Sequence, residues 1–333
     1  MLFRRGSLAC AVSTCMHFGM RRTRNIRLLL AFDGSAYAGW QRQAAAPTVQ
    51  GTVEEALTRL TGTPVTLHGA GRTDAGVHAR GMVANGRSES SIPPNGLVRA
   101  LNNMLPPDIR VLDADEAPPD FHSRFDALGK TYCYDLCLTP IQNPLQRLYC
   151  AHVPRPFQLE PVAACLDLLT GTHDFAAFEG SGSRDRTHSS GRGAIRTLRE
   201  AQCFPLAGCP AHFRFRFTGD GFLRHMVRNL VGTLLEVAAG KYGPQEFQDI
   251  LTSGDRGRAG PTAAARGLCL HRLYYDPPWP TGVCLATVAC EEYSVGGREK
   301  KARPRACPDG SGTAAGEAGS GTELPARQES GMN

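Results

Sequence analysis

The sequence predicts an α+β protein. Two ferredoxin-like β-α-β-β-α-β halves share a mixed, mainly antiparallel sheet, with helices on one side and a central cleft between the halves. Three observations predict this. The order strand, helix, strand, strand, helix, strand occurs twice along the chain. Phe213, Phe215 and Phe217 alternate with Arg214 and Arg216, the period of a half-buried strand. Finally, 333 residues with 41% hydrophobic content suffice for about two domains of ~100–200 residues and exclude a wholly disordered chain.

In the first half, Ile26–Asp33 is an apolar strand. Val49, Val53, Ala56, Leu57 and Leu60 mark a helix, with Thr52 and Glu55 at capping-box spacing. Pro64–Ala70 and Met82–Arg87 read as strands. Leu97, Leu101, Met104 and Leu105 make a second helix, and Ile109–Leu112 a fourth strand. In the second half, Thr131–Leu138 is a strand and Val162–Leu169 a helix. Ala194–Phe204 and Ala211–Thr218 are strands, Phe222–Ala239 is a long helix, and Leu268–Tyr275 closes the unit. The domain boundaries that follow are 24–125 and 126–292. Residues 1–23 are acid-free with four arginines; they read as a transit segment or as translation begun upstream of Met20. Residues 293–333, rich in Gly, Ser, Ala and Glu, read as a disordered tail.

Of 37 basic and 31 acidic residues, 27 and 26 fall in 24–292, so a nucleic-acid site must arise from clustering rather than bulk charge. No apolar run approaches the ~20 residues of a membrane helix. The twelve cysteines include no C-x-x-C pair and mostly sit in apolar runs, as expected of reduced thiols in a cytoplasmic protein with no metal site.

Four segments carry chemistry. Gly69–His78 places Arg72 and Asp74 among glycines after an apolar strand. In extended backbone the two side chains share one side, where the guanidinium would orient an ionised carboxylate. Such an aspartate is a nucleophile that needs no base; a loop Asx-turn paired with arginine is the structural alternative. Tyr37–Gln43 offers Trp40 for base stacking and Gln41, Arg42 and Gln43 for hydrogen bonds, or a strand-end Trp packed under a loop. Tyr132 and Tyr134 share a strand face. Arg224 and Arg228, at i and i+4, form a cationic helix face suited to phosphate or simply to solvent. Arg196, Arg199, Arg214 and Arg216 add charge near it in sequence, and Arg184, Arg186 and Arg192 lie in a Gly/Ser loop.

Taken together, the segments Asp33–Gln43, Thr48–Gly51, Gly71–His78, Asp120–Phe125, Lys130–Tyr134, Asp174-Phe175 and Gly221–Asn229 resemble, in order, the TruA family of tRNA pseudouridine synthases. The resemblance spans about residues 24 to 280 and implies the pseudouridine synthase fold. It implies isomerisation of uridines 38, 39 and 40 in the tRNA anticodon stem-loop, by a homodimer without cofactor or metal. The family's catalytic aspartate falls on Asp74, with Arg72 orienting it and keeping the base everted. Tyr132 would stack on that base and help remove the C5 proton, and Arg228 would supply charge near Asp74. Candidate substrate contacts are Tyr132, Trp40, Gln41, Arg42, Gln43, His78, Arg124, Arg214, Arg216 and Arg224. The alternatives are a non-catalytic RNA-binding protein of the same fold, or an Asp74-dependent hydrolase or phosphotransferase.

Overall fold

The computed structural model describes residues 22–180 and 193–279. The expectations for the far N-terminus, for Arg184, Arg186 and Arg192, and for the C-terminal tail lie outside the described residues.

The first half contains β1 (Arg24–Phe32), α1 (Val49–Thr61), β2 (His68–Gly69), β3 (His78–Ser88), α2 (Pro94–Met104) and β4 (Ile109–Ala117). The second contains β5 (Gly129–Cys137), β6 (Ala151–His152), α3 (Leu159–Leu169), β7 (Gly171–Asp174), β8 (Ile195–Leu206), β9 (Cys209–Gly219), α4 (Met226–Ala238), α5 (Pro244–Ser253) and β10 (Leu268–Tyr274). All ten strands join one sheet, with the path β4-β1-β3-β10-β5-β9-β8-β7; β2 pairs with β3, and β6 with β5. Numbering the main strands of each half one to four, both halves run 4-1-3-2. The halves meet where β10 pairs with β3 in parallel, Cys269 opposite His78 and Leu270 opposite Ala79.

Helix α1 is set by its apolar stripe and its caps. Thr48 is extended and its side chain accepts from the Gly51 amide, so the cap lies one turn before the expected Thr52. Thr52 Oγ1 donates to the Thr48 carbonyl instead. The predicted strand Pro64–Ala70 shrinks to two residues. Val65 and Leu67 are buried, and the Leu67 amide donates to the buried Glu54 carboxylate rather than to a neighbouring strand. Helix α4 begins at Met226, four residues late, because His225 is left-handed with φ 61°. Arg224 therefore lies ahead of the helix and shares no helical face with Arg228. Helix α5 was not anticipated, although Pro244 at its start and Gly254 after its end, at φ 63°, are its sequence signals.

One core underlies both halves. Ile26 and Leu28 of β1 pack with Leu57 of α1 and Leu97 of α2. Tyr134, Phe215 and Phe217 fill the space beneath α3 and α4. The register carries Leu30, Phe32, Ala79, Leu270, Tyr132 and Phe217 onto one face, so all the helices cover the same side. Among the described residues no helix is long and apolar enough to cross a membrane.

Candidate active site

The seam between the halves positions the Asp74 loop. β2 and β10 pair with opposite ends of one edge of β3, and residues 70–77 leave the sheet through the gap between them. The segment after β1 braces this loop. The Trp40 amide donates to the Thr73 carbonyl, and the Gly76 amide to Tyr37. Gly34 and Gly39 are required: a Cβ would lie 2.0 Å from the Val77 carbonyl oxygen and 2.3 Å from that of Thr73. From the other half, Lys130 Nζ donates to the Ala70 carbonyl at 2.6 Å.

Asp74 itself is held by α4. Arg228 Nη1 donates to Oδ2 at 3.0 Å, and His225 Nε2 lies 3.4 Å from Oδ1. Arg228 is in turn fixed by the loop after α5: its Nε donates to the Ala263 carbonyl at 2.8 Å, and the Ala263 amide returns a bond to the Arg228 carbonyl. Gly232 lets that loop approach, since a Cβ there would lie 1.7 Å from the Pro261 oxygen. Tyr132 packs edge-on against Phe222, and its hydroxyl has no hydrogen-bond partner among the described residues. Burial, and then the Asp74 charge, push its pKa up, so it rests as a neutral phenol. Burial lowers the pKa of His225, against the pull of Asp74.

Arg72 does not orient Asp74, contrary to expectation. It is exposed and makes no hydrogen bond or ion pair among the described residues. The loop does not lie as a strand, so the i, i+2 relation that would align the two side chains is lost, and Arg228 holds the carboxylate instead.

Trp40 takes the second of its two expected roles, packed under a loop rather than open to a base. It is 1% exposed and stacks on Phe32, and a Cβ on Gly69 would lie 2.4 Å from its Nε1, so it supports the loop and has no face open to a base. Arg42 ties itself to Glu54 and the Gly51 carbonyl on α1. Gln41 bonds to Gln50 and Gln43 to the Ala38 carbonyl. His78 is buried; its Nδ1 accepts from the Gly34 amide and its Nε2 faces the Leu148 and Arg266 carbonyls. Arg124 and Arg224 are exposed. Arg214 and Arg216 lie on the helix-free face, opposite Tyr132 and Asp74. Arg214 makes a two-pronged bond to Asp135, and Arg216 bonds to Glu200 and Gln202. Among the described residues no cluster of His, Cys, Asp and Glu could hold a metal ion.

A family model described as tRNA pseudouridine synthase matches residues 29–126 and 166–276. The chain belongs to the tRNA pseudouridine synthase family. It is 49% identical to tRNA pseudouridine synthase A 1 of Desulfotalea psychrophila, over 76% of this chain and 100% of that protein. It is 46% identical to tRNA pseudouridine synthase A of Solidesulfovibrio magneticus, over 78% of this chain and 93% of that one. It is 41% identical to tRNA pseudouridine synthase A of Syntrophotalea carbinolica, over 76% and 96%. As a synthase of this family it is an isomerase that makes pseudouridine in tRNA. The matched segments include Arg72, Asp74 and Arg228; Tyr132 falls between them. Sequence reasoning assigned no role to His225 or Lys130 in this synthase. Lys130 sits two residues before Tyr132, on the same strand face, and that spacing was a usable signal. Nothing local marks His225, because its contact with Asp74 exists only across the seam.

Proposed function

We propose that this synthase isomerises uridines 38, 39 and 40 of the tRNA anticodon stem-loop, with Asp74 as nucleophile. The observation that carries the reading is the Asp74 carboxylate, lodged between the halves with one oxygen on Arg228 at 3.0 Å and Tyr132 nearby. The N1–C1′ bond breaks, the base turns while bound, a C5–C1′ bond forms, and the C5 proton leaves to solvent while N1 takes one up. Both bonds lie within one substrate, so the reaction consumes no oxidant, reductant or energy source, and the reading calls for no cofactor and no metal. Asp74 adds to C6 of the base or attacks C1′ of the ribose; either way one oxygen reacts while Arg228 balances charge on the other. Tyr132 stacks on the base. As a neutral phenol it is not itself the resting base for C5. The unpaired Arg72 enters the space the uridine vacates, offsetting the few kcal/mol of base eversion. Arg124 and Arg224 contact phosphate, and Phe125, 73% exposed beside Arg124, offers a stacking surface. On this reading the enzyme is a cytoplasmic homodimer whose two subunits form the tRNA cleft.

Tritium release from tRNA carrying C5-labelled uridine, with mapping of the product, tests the proposal. The native chain should release tritium and leave pseudouridine at 38–40. Asp74→Asn should bind tRNA and release none. Equal release by that variant, or product at other positions, would overturn it, and tRNA binding without any release by the native chain would favour a non-catalytic RNA-binding protein.

A further inference from the structure

We propose that His225 is a positioning residue for Asp74, its ring set against Oδ1 while Arg228 holds Oδ2. The inference rests on Asp74 being the reacting group. Three observations carry it. His225 is the one non-glycine residue with positive φ among those described, at φ 61° and ψ 0°. This backbone is disfavoured for a residue with a Cβ, and such strain persists where the surroundings over-determine it, often at functional sites. It interrupts what would otherwise be a longer α4, and the ring it presents has Nε2 3.4 Å from Asp74 Oδ1. The ring is also enclosed from behind. Gly180 donates its amide to the Arg224 carbonyl at 2.8 Å, and a Cβ at 180 would lie 2.9 Å from His225 Nδ1.

The two groups set against Asp74 differ in kind. Arg228 is a permanent cation. His225 is kept neutral by burial, with Arg228, Arg224 and Arg256 acting in the same direction. The tautomer with hydrogen on Nε2 is assigned from the carboxylate it faces. A neutral donor fixes rotation of the carboxylate about its Cβ–Cγ bond without placing a second positive charge on the reacting oxygen. Two cations would stabilise the free carboxylate and blunt its attack.

Two substitutions separate this role from backbone strain. In His225→Gln the amide nitrogen reaches as far as Nε2 but the residue tolerates left-handed backbone poorly. In His225→Asn the reverse holds, because Asn adopts that backbone readily and its amide stops short. His225→Gln should keep kcat within about threefold of the native enzyme, while His225→Asn should lose on the order of 10–100-fold in kcat from a misplaced carboxylate, with KM for tRNA and melting temperature unchanged. Native kcat in His225→Asn, or a loss in His225→Gln as large as in His225→Asn, overturns the role. Asp74→Asn assayed alongside tells the two failures apart. If it is inactive while His225→Asn is fully active, only the role of His225 falls; if it is active, the Asp74 reading itself fails.

Discussion

The connection between the second and third strands takes opposite forms in the two halves. In the second half β8 and β9 are long, and residues 207 and 208 turn the chain directly between them, with Gly208 at φ 71° and open space around it. In the first half β2 keeps two residues and the connection grows to 70–77, carrying Arg72 and Asp74. The helices that follow differ as well. α2 opens on Pro93 and Pro94, whereas α4 opens on the left-handed His225 and presents Arg228. Each half thus contributes only one side of the site. The long loop supplies the carboxylate, and the helix of the other half supplies its partners. Pseudo-symmetry generates two equivalent slots; the proposed chemistry occupies the one where a shortened strand frees a loop beside the seam.

The sharpest way to break this division of labour is to remove the partner. Arg228→Ala should cut kcat on the order of 10²–10³-fold, as for loss of a preorganised charged donor, with a small change in KM. Arg228→Lys should not restore it, because the ammonium lacks the planar fork whose Nε and Nη1 serve the Ala263 carbonyl and Asp74 separately. Steady-state kinetics on tRNA decide the matter; native kcat in Arg228→Ala would mean that Arg228 contributes nothing to Asp74.

The contrast between a braced loop and a free turn predicts a difference in stability. Gly34→Ala drives a Cβ into the Val77 backbone and should cost about 1–3 kcal/mol. Gly208→Ala meets nothing within 4 Å and should cost only about 1 kcal/mol, from its left-handed backbone. Urea denaturation of the pair measures the gap, and equal losses would deny that the 33–40 segment braces the Asp74 loop.

The arginines sharpen the comparison between faces. Replacing Arg124 or Arg224 by Ala should each lower the slope of log binding constant against log salt by about one. Replacing Arg214 should leave that slope alone and destabilise the fold, since it strips a partner from Asp135. A reduced slope for the Arg214 variant would put RNA on the helix-free face.

The smallest effect is on stability against pH. Burial lowers the pKa of His122, late in the first half, and of His225 in the second. Between each lowered pKa and the ordinary value near ~6.5, the unfolded chain binds more protons than the folded one, so stability falls as pH drops through that window. His225→Gln should remove the second half's share, and thermal melts between pH 7.5 and 5 would show it; an unchanged slope would contradict the lowered pKa.

The amino-acid sequence by itself determined the repeated element order, because apolar periodicity and turn residues act locally. It also singled out as candidates Asp74 and Tyr132, whose motifs are short and contiguous. It could not show that Trp40 lies under Gly69, or which arginine serves Asp74. Arg72 is two residues from Asp74 and does not touch it; Arg228 is 154 residues away and does. Nor did it show on which side of the sheet the strand arginines stand relative to the site. Facing along a strand is a count of two, and each bulge shifts that count by one: β1 and β3 slip between Leu30 and Phe32, and β10 and β5 between Leu270 and Arg272. Only after those slips, and after β10 closes against β3, do a loop from one half and a helix start from the other meet at one carboxylate.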